Sequence, residues 1–110
     1  MTTSFKHQVS TLIGTTPVDV VAVDTGFRVT VIGCNLANTT EYDTINVSAY
    51  VVDASSTPGT YIRNIPIPPN TSLKLITNGE KLILPQNTSL RIVSDRASSL
   101  DVVVSFVEIS

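Results

Sequence analysis

Turn-forming residues punctuate this chain roughly every 8–12 residues, and nothing between them keeps the apolar spacing of an amphipathic helix. The breaks are Gly14-Thr15-Thr16-Pro17, Asp24-Thr25-Gly26, the polar loop at 37–44, Ser55-Ser56-Thr57-Pro58-Gly59, Pro66 with Pro68 and Pro69, Asn78-Gly79, and residues 96–99. The segments between them are short and rich in Val, Ile and Leu, which suits pleated, half-buried strands. The chain is therefore expected to be all-β: a two-sheet antiparallel β-sandwich, jelly-roll or immunoglobulin-like, of about eight short strands. At 110 residues there is material for one core. Residues 1–13 read as an N-terminal arm or edge strand, and residues 14–110 as a single sandwich domain.

A phrase recurs in the second half. Asn70-Thr71-Ser72-Leu73-Lys74-Leu75-Ile76 returns as Asn87-Thr88-Ser89-Leu90-Arg91-Ile92-Val93. Each copy is a polar turn launching a strand, with Asn suited to the turn geometry and able to hydrogen-bond the backbone there. Asn78-Gly79 between them is a hairpin signal. The last four strands thus read as an up-and-down meander, and the prolines at 66–69 as an edge or crossover segment. Along residues 27–36, strict alternation puts Phe27, Val29 and Val31 on one face and Arg28, Thr30, Ile32, Cys34 and Leu36 on the other. In residues 45–52, Ile45, Val47, Ala49 and Val51 point inward. The closing strand carries Leu100, Val102, Val104 and Phe106 on one face and Val103, Val107 and Ile109 on the other. Such a strand is central, or meets another subunit.

Residues able to do chemistry are sparse. His7 is the only histidine and Cys34 the only cysteine, so no internal disulfide and no zinc set can form. A nucleophilic Cys34 would need His7 as its base; in its apolar run it reads as a core residue. Glu41, Asp43 and Asp53 lack the spacing of a calcium loop. The glycines form no phosphate cradle. Asn38-Thr39-Thr40, Asn46-Val47-Ser48 and the two repeat phrases match the N-glycosylation pattern, which a Ser/Thr-rich chain produces by composition alone. Seven basic residues are spread along a chain of net charge −2, without the basic face that nucleic-acid binding needs. The N-terminus has no apolar stretch of a secretory leader and no run spans a bilayer, so synthesis in a reducing cytoplasm is expected, with no membrane partner. No catalytic residue, metal or cofactor is expected. A charged fraction of only 15% points towards a surface buried against partners. The residues expected to make such contacts are Phe5, His7, Val9, Tyr42, Tyr61, Val103, Val107 and Ile109.

Residues 65–109 carry a resemblance. A Pro-rich approach (Ile65-Pro66-Ile67-Pro68-Pro69) leads to Leu73-Lys74-Leu75, Gly79-Glu80-Lys81-Leu82-Ile83-Leu84-Pro85 and Thr88-Ser89-Leu90-Arg91-Ile92. The chain closes through Ser105-Phe106-Val107-Glu108. This resembles the small β-sandwich virion structural proteins of tailed bacteriophages, which share the leucine–turn–leucine pattern and a Ser-x-x-Glu ending. Asn87-Thr88 stands where that family often has a Gly-Asp turn. The resemblance implies a non-enzymatic virion protein, foremost a head decoration (cement) subunit binding copies of itself and major capsid or neck proteins. A neck or tail ring component is its alternative in the same class. From a different class, a sugar-binding module of a tail fibre would use Tyr42, Asp43, Asp53 and Tyr61.

Overall fold

The structure is a computed structural model describing residues 2–55, 57–76 and 81–110. Its strands are β1 (Thr3–Ile13), β2 (Val18–Ala22), β3 (Arg28–Asn38), β4 (Ile45–Val52), β5 (Pro58–Ile67), β6 (Ser72–Ile76), β7 (Leu82–Leu84), β8 (Ser89–Ser94) and β9 (Leu100–Ile109). They form two antiparallel sheets. One runs β1-β9-β3-β6, with β7 also on β3; the other runs β2-β8-β4-β5.

β6 and β7 both pair antiparallel with β3, β6 beside Cys34–Ala37 and β7 beside Val29–Val31. They therefore run in the same direction, as two halves of one interrupted strand. Counted so, the described residues form eight strands, and the pairing nests: first with last, second with seventh, third with sixth, fourth with fifth. A long antiparallel ribbon has been rolled into two sheets. That is a jelly roll, the first of the two expected sandwich types. The expected meander is overturned, because β6 and β7 lie in one sheet, β8 in the other, and β9 back in the first. The Asn78-Gly79 turn itself lies outside the described residues. β5 is an edge strand, as its prolines require, and the chain crosses between sheets just after it.

The core is aliphatic, filled from both sheets by residues such as Val20, Val31, Leu36, Ile45, Val47, Leu90, Ile92, Leu100 and Val104. Register shifts decide which residues reach it. Between Val31 and Gly33 the β3–β9 ladder gains a residue, a β-bulge that resets parity. Cys34 and Leu36 consequently share the buried face with Val29 and Val31, while Ile32 is exposed; strict alternation had set them apart. Similar shifts let the adjacent pairs Val20-Val21 and Leu75-Ile76 both be buried.

The repeated phrase starts β6 and β8 at equivalent positions, Ser72 and Ser89. Both asparagines have positive φ, 55° at Asn70 and 62° at Asn87, a region Asn enters more readily than most residues. The hydrogen bond to the turn's backbone comes from the threonine instead. Thr71 Oγ1 donates to the Pro69 carbonyl at 3.1 Å and Thr88 Oγ1 to that of Pro85 at 2.6 Å.

Candidate interaction face

The outer surfaces of the two sheets differ in kind. On the β2-β8-β4-β5 side, Arg91 pairs in register with both Asp19 and Tyr50, and Tyr50 with Thr60. Arg91 Nε donates to Asp19 Oδ1 at 2.8 Å, and that hydrogen bond, more than the nearby charge, raises the guanidinium pKa further. This side is built for water.

The outer side of β1-β9-β3 is not. Cross-strand partners lie on the same face of a sheet, and the register lines up Phe5 with Val107 and Thr30, His7 with Ser105 and Gly33, and Val9 with Val103 and Asn35. Ile83 joins the first row opposite Thr30. Val29, Val31, Val102, Val104 and Phe106 fill the inner side, so these rows face outward. Phe5 is 80% exposed, Ile83 68% and Val9 54%; Ile32 and Val103 are exposed as well. Gly33 and Ser105 leave a shallow hollow of about 340 Å³ in the middle, bounded by Ile32, Asn35, Lys74 and Val103.

β1 carries the sharpest anomaly. Its register places Ser4, Lys6, Gln8 and Ser10 on the side of Glu108, Phe106, Val104 and Val102, and Phe5 and Val9 on the outside. In an ordinary two-layer sandwich the apolar alternation points to the core. Here it is reversed. From Thr3 to Leu12 none of its residues is buried; only Ile13, at the end, reaches the core. Lys6 Nζ meets Glu108 Oε1 at 2.7 Å beside the strand pair.

Six of the eight contact residues expected from sequence thus fall on this one sheet face: Phe5, His7, Val9, Val103, Val107 and Ile109. Tyr42 and Tyr61 do not join them. Tyr42 is 87% exposed in the loop after β3. Tyr61 sits at a register shift of the edge strand β5. Ile32 and Ile83 belong to the face and were missed. Ile83 was detectable as the outward residue between two leucines, whereas Ile32 depends on the bulge.

Asp43 and Asp53 are each engaged locally and lie far from one another. Asp43 and Asp53 flank opposite ends of β4, whose length at about 3.3 Å per residue keeps them more than about 20 Å apart. Tyr42, Asp43, Asp53 and Tyr61 are thus not gathered into one sugar site. Asp43 meets Arg96 at 3.4 Å. Asp53 Oδ1 accepts from Ser55 Oγ and from the Ser55 and Thr57 amides, and these bonds, the Ser55 hydroxyl foremost, hold its carboxyl below the usual range. His7 lies on the outer sheet face and the Cys34 side chain on the inner, so they cannot form a dyad. Burial pushes the Cys34 thiol up to about 12. Among the described residues, no three of His, Cys, Asp or Glu converge as metal ligands.

No family model matches the sequence, and no curated protein is similar to it. Among solved structures, the chain is similar to one from Bacillus endospore appendages, described as a novel family of disulfide-linked pili. That superposition has a TM-score of 0.54 at 10% identity and covers 99% of this chain and 87% of that one. A chain of infectious bursal disease virus, Gt strain, superposes with a TM-score of 0.45 at 11% identity, over 96% of this chain and 30% of that one. At such identity the first likeness extends to the fold alone, and the second is too loose to bear weight.

Proposed function

We propose that this chain is a non-catalytic structural subunit that assembles with copies of itself through the outer face of the β1-β9-β3 sheet. The reversed amphipathicity of β1 carries the reading. An edge strand that turns Phe5 and Val9 to solvent, in register with Val107 and Val103, gains stability only when that face is covered. Phe5, His7, Val9, Val103, Val107 and Ile109 are the contact residues on this reading, with Ile32 and Ile83 added. The pilus likeness supports it, since pili are built from repeated subunits. Disulfide linking of that kind does not transfer. The cysteine of these residues, Cys34, is buried in the core and cannot reach a neighbouring copy while the sandwich stays folded.

The more specific role is a head decoration subunit of a tailed-phage particle, with a neck or tail ring as the alternative place in the same virion. It rests on the resemblance of residues 65–109, and on this reading the protein is made in the host cytoplasm and resides in the particle, with major capsid or neck proteins as further partners. Immunogold labelling of whole particles tests it; label absent from any virion removes this role and leaves the general one standing.

Sedimentation equilibrium over a concentration series tests the general proposal. The wild-type chain is expected to associate reversibly, and the F5K/V103K double variant to stay monomeric, with the thermal midpoint of dilute, monomeric wild type, both positions being exposed. A wild-type protein that remains monomeric at millimolar concentration overturns it.

A further inference from the structure

We infer that residues 3–12 are an exchangeable strand, which leaves its own β9 and pairs with the β9 of a second copy. The inference rests on the reading that copies of this chain associate, and adds how the edge strand takes part.

Three observations carry it. First, β1 is held by its ladder to β9, the Lys6–Glu108 ion pair, a bond from the Leu12 amide to Asp101 Oδ1 at 2.9 Å, and reciprocal backbone bonds between Thr2 and Ser110. None of these needs a buried side chain from residues 3–12, so release opens no cavity in the core. Second, every one of those partners lies on β9 or just beyond it. A second copy offers the same ladder, the same Glu108 and the same Asp101, so the exchanged strand recovers each bond. Without its own β1, β9 would expose a row of unpaired donors and acceptors, the usual template for strand addition.

Third, the chain provides a hinge in the right place. Leu12 has φ 54°, a left-handed conformation that crowds its Cβ against the following carbonyl, and the β1–β9 register slips between Ser10 and Ile13. Immediately after it the chain is fixed. Ile13 is buried, its carbonyl accepts from the Ser99 amide at 3.1 Å, and the Gly14 carbonyl accepts from Ser94 at 2.9 Å. Straightening Leu12 into β conformation removes the strain and swings the strand out rigidly. Ten residues of extended chain reach about 33 Å, comparable with the molecule's smaller dimensions of 27 and 21 Å. Exchange of an identical element is a low-cost route to association, closing into a dimer or running on as a chain.

Two single-cysteine additions test the exchange, with buried Cys34 left in place. Val9 and Val103 are register partners, so V9C on one chain and V103C on another meet only when a strand has changed partner, or when two sheet faces pack together. The variants are mixed, oxidised mildly and separated on a non-reducing gel. Exchange predicts a disulfide-linked V9C–V103C dimer in the mixture and little dimer from either variant alone. Face-to-face packing without exchange gives V9C–V9C and V103C–V103C dimers as readily as the mixed one; that result overturns the exchange and leaves the self-association reading intact. No dimer in any lane, while V9C/V103C in one chain closes internally, also overturns it, and sedimentation then decides the assembly reading separately. L12G, which tolerates the left-handed geometry, is expected to lower the mixed-dimer yield about fivefold; an unchanged yield removes Leu12 as the hinge.

Discussion

Replacing Asn38 should cost this small protein a large share of its stability, although the residue lies away from the proposed interaction face. Asn38 ends β3 and is buried. Its Nδ2 donates to the Asp43 and Ile67 carbonyls, both at 2.8 Å, and its Oδ1 accepts from the Thr40 amide at 2.9 Å. The Thr40 hydroxyl shares its single proton between Asn38 Oδ1 and the Asp43 carbonyl. One amide therefore ties the β3–β4 loop to the end of β5, where the chain crosses between sheets. In N38A the Asp43 carbonyl keeps the Thr40 hydroxyl, but the Thr40 amide and the Ile67 carbonyl lose this partner. Three bonds at about 1 kcal/mol each give a loss of about 3 kcal/mol, from a total that for such domains is about 5–15 kcal/mol. The midpoint of thermal unfolding should fall by roughly 10–15 °C. N38D sharpens the test, because its carboxylate would face two carbonyls with no proton to give. Its folded-state pKa is thereby raised, so its stability relative to wild type should be greater at pH 5 than at pH 7, where protonation no longer supplies a donor. Urea unfolding followed by circular dichroism at the two pH values measures both effects. A loss below about 1 kcal/mol for N38A with unchanged m, or an N38D deficit that shrinks as pH rises, refutes the reasoning. The same bonds explain why the Asn38-Thr39-Thr40 pattern is no acceptor in the folded chain: its amide is buried and both donors are spent.

Two further outcomes follow from local geometry. G14A should destabilise by about 1–3 kcal/mol, since an added Cβ would sit 3.0 Å from Ala97 Cα and Ser98 N, whereas G33A, with only the Ser105 Cβ at 4.0 Å, should unfold within about 0.5 kcal/mol of wild type; parallel urea titrations compare them. Hydrogen bonds lower the carboxyl pKa of Asp53, Ser55 Oγ first, and of Asp95, the Asn46 amide first. Depressed folded-state values stabilise above the unfolded carboxylate pKa, near 3.9, and that contribution is lost as pH falls through the folded values. The D53N/D95N variant should therefore show a flatter loss of stability below about pH 4, measured as urea midpoints against pH, and an acid limb identical to wild type would remove both carboxylates from that role.

Much of this architecture was open to reading from the amino-acid order alone, because strand existence is a local matter. Turn residues at close spacing and runs of β-branched side chains bound most strands without reference to partners, which is why the segments at 45–52, 72–76, 89–94 and 100–109 coincide with β4, β6, β8 and β9, while β3 runs on to Asn38 and β5 starts at Pro58, inside expected loops, where pairing extends them. The face pattern of β9 followed from its period of two, since its register runs unbroken along β1 for most of its length. What is local ends there. Which side of β3 holds Cys34 and Leu36 depends on one extra residue opposite Ser105, and a bulge is a property of a pair of strands. Asn78-Gly79 suggested a hairpin, but the direction of β7 is decided by the space left along β3 once β6 has taken the other half. The sheet face shared by Phe5, Val9, Val103 and Val107 is likewise written in two stretches at opposite ends of the sequence, β1 and β9. The amino-acid sequence by itself determined that this protein is a set of short strands with an aliphatic core. Only the tertiary structure decided that the strands roll up as nested pairs and that the first one turns its apolar side away from the core, because pairing between distant segments sets register, and register sets which side chains meet water.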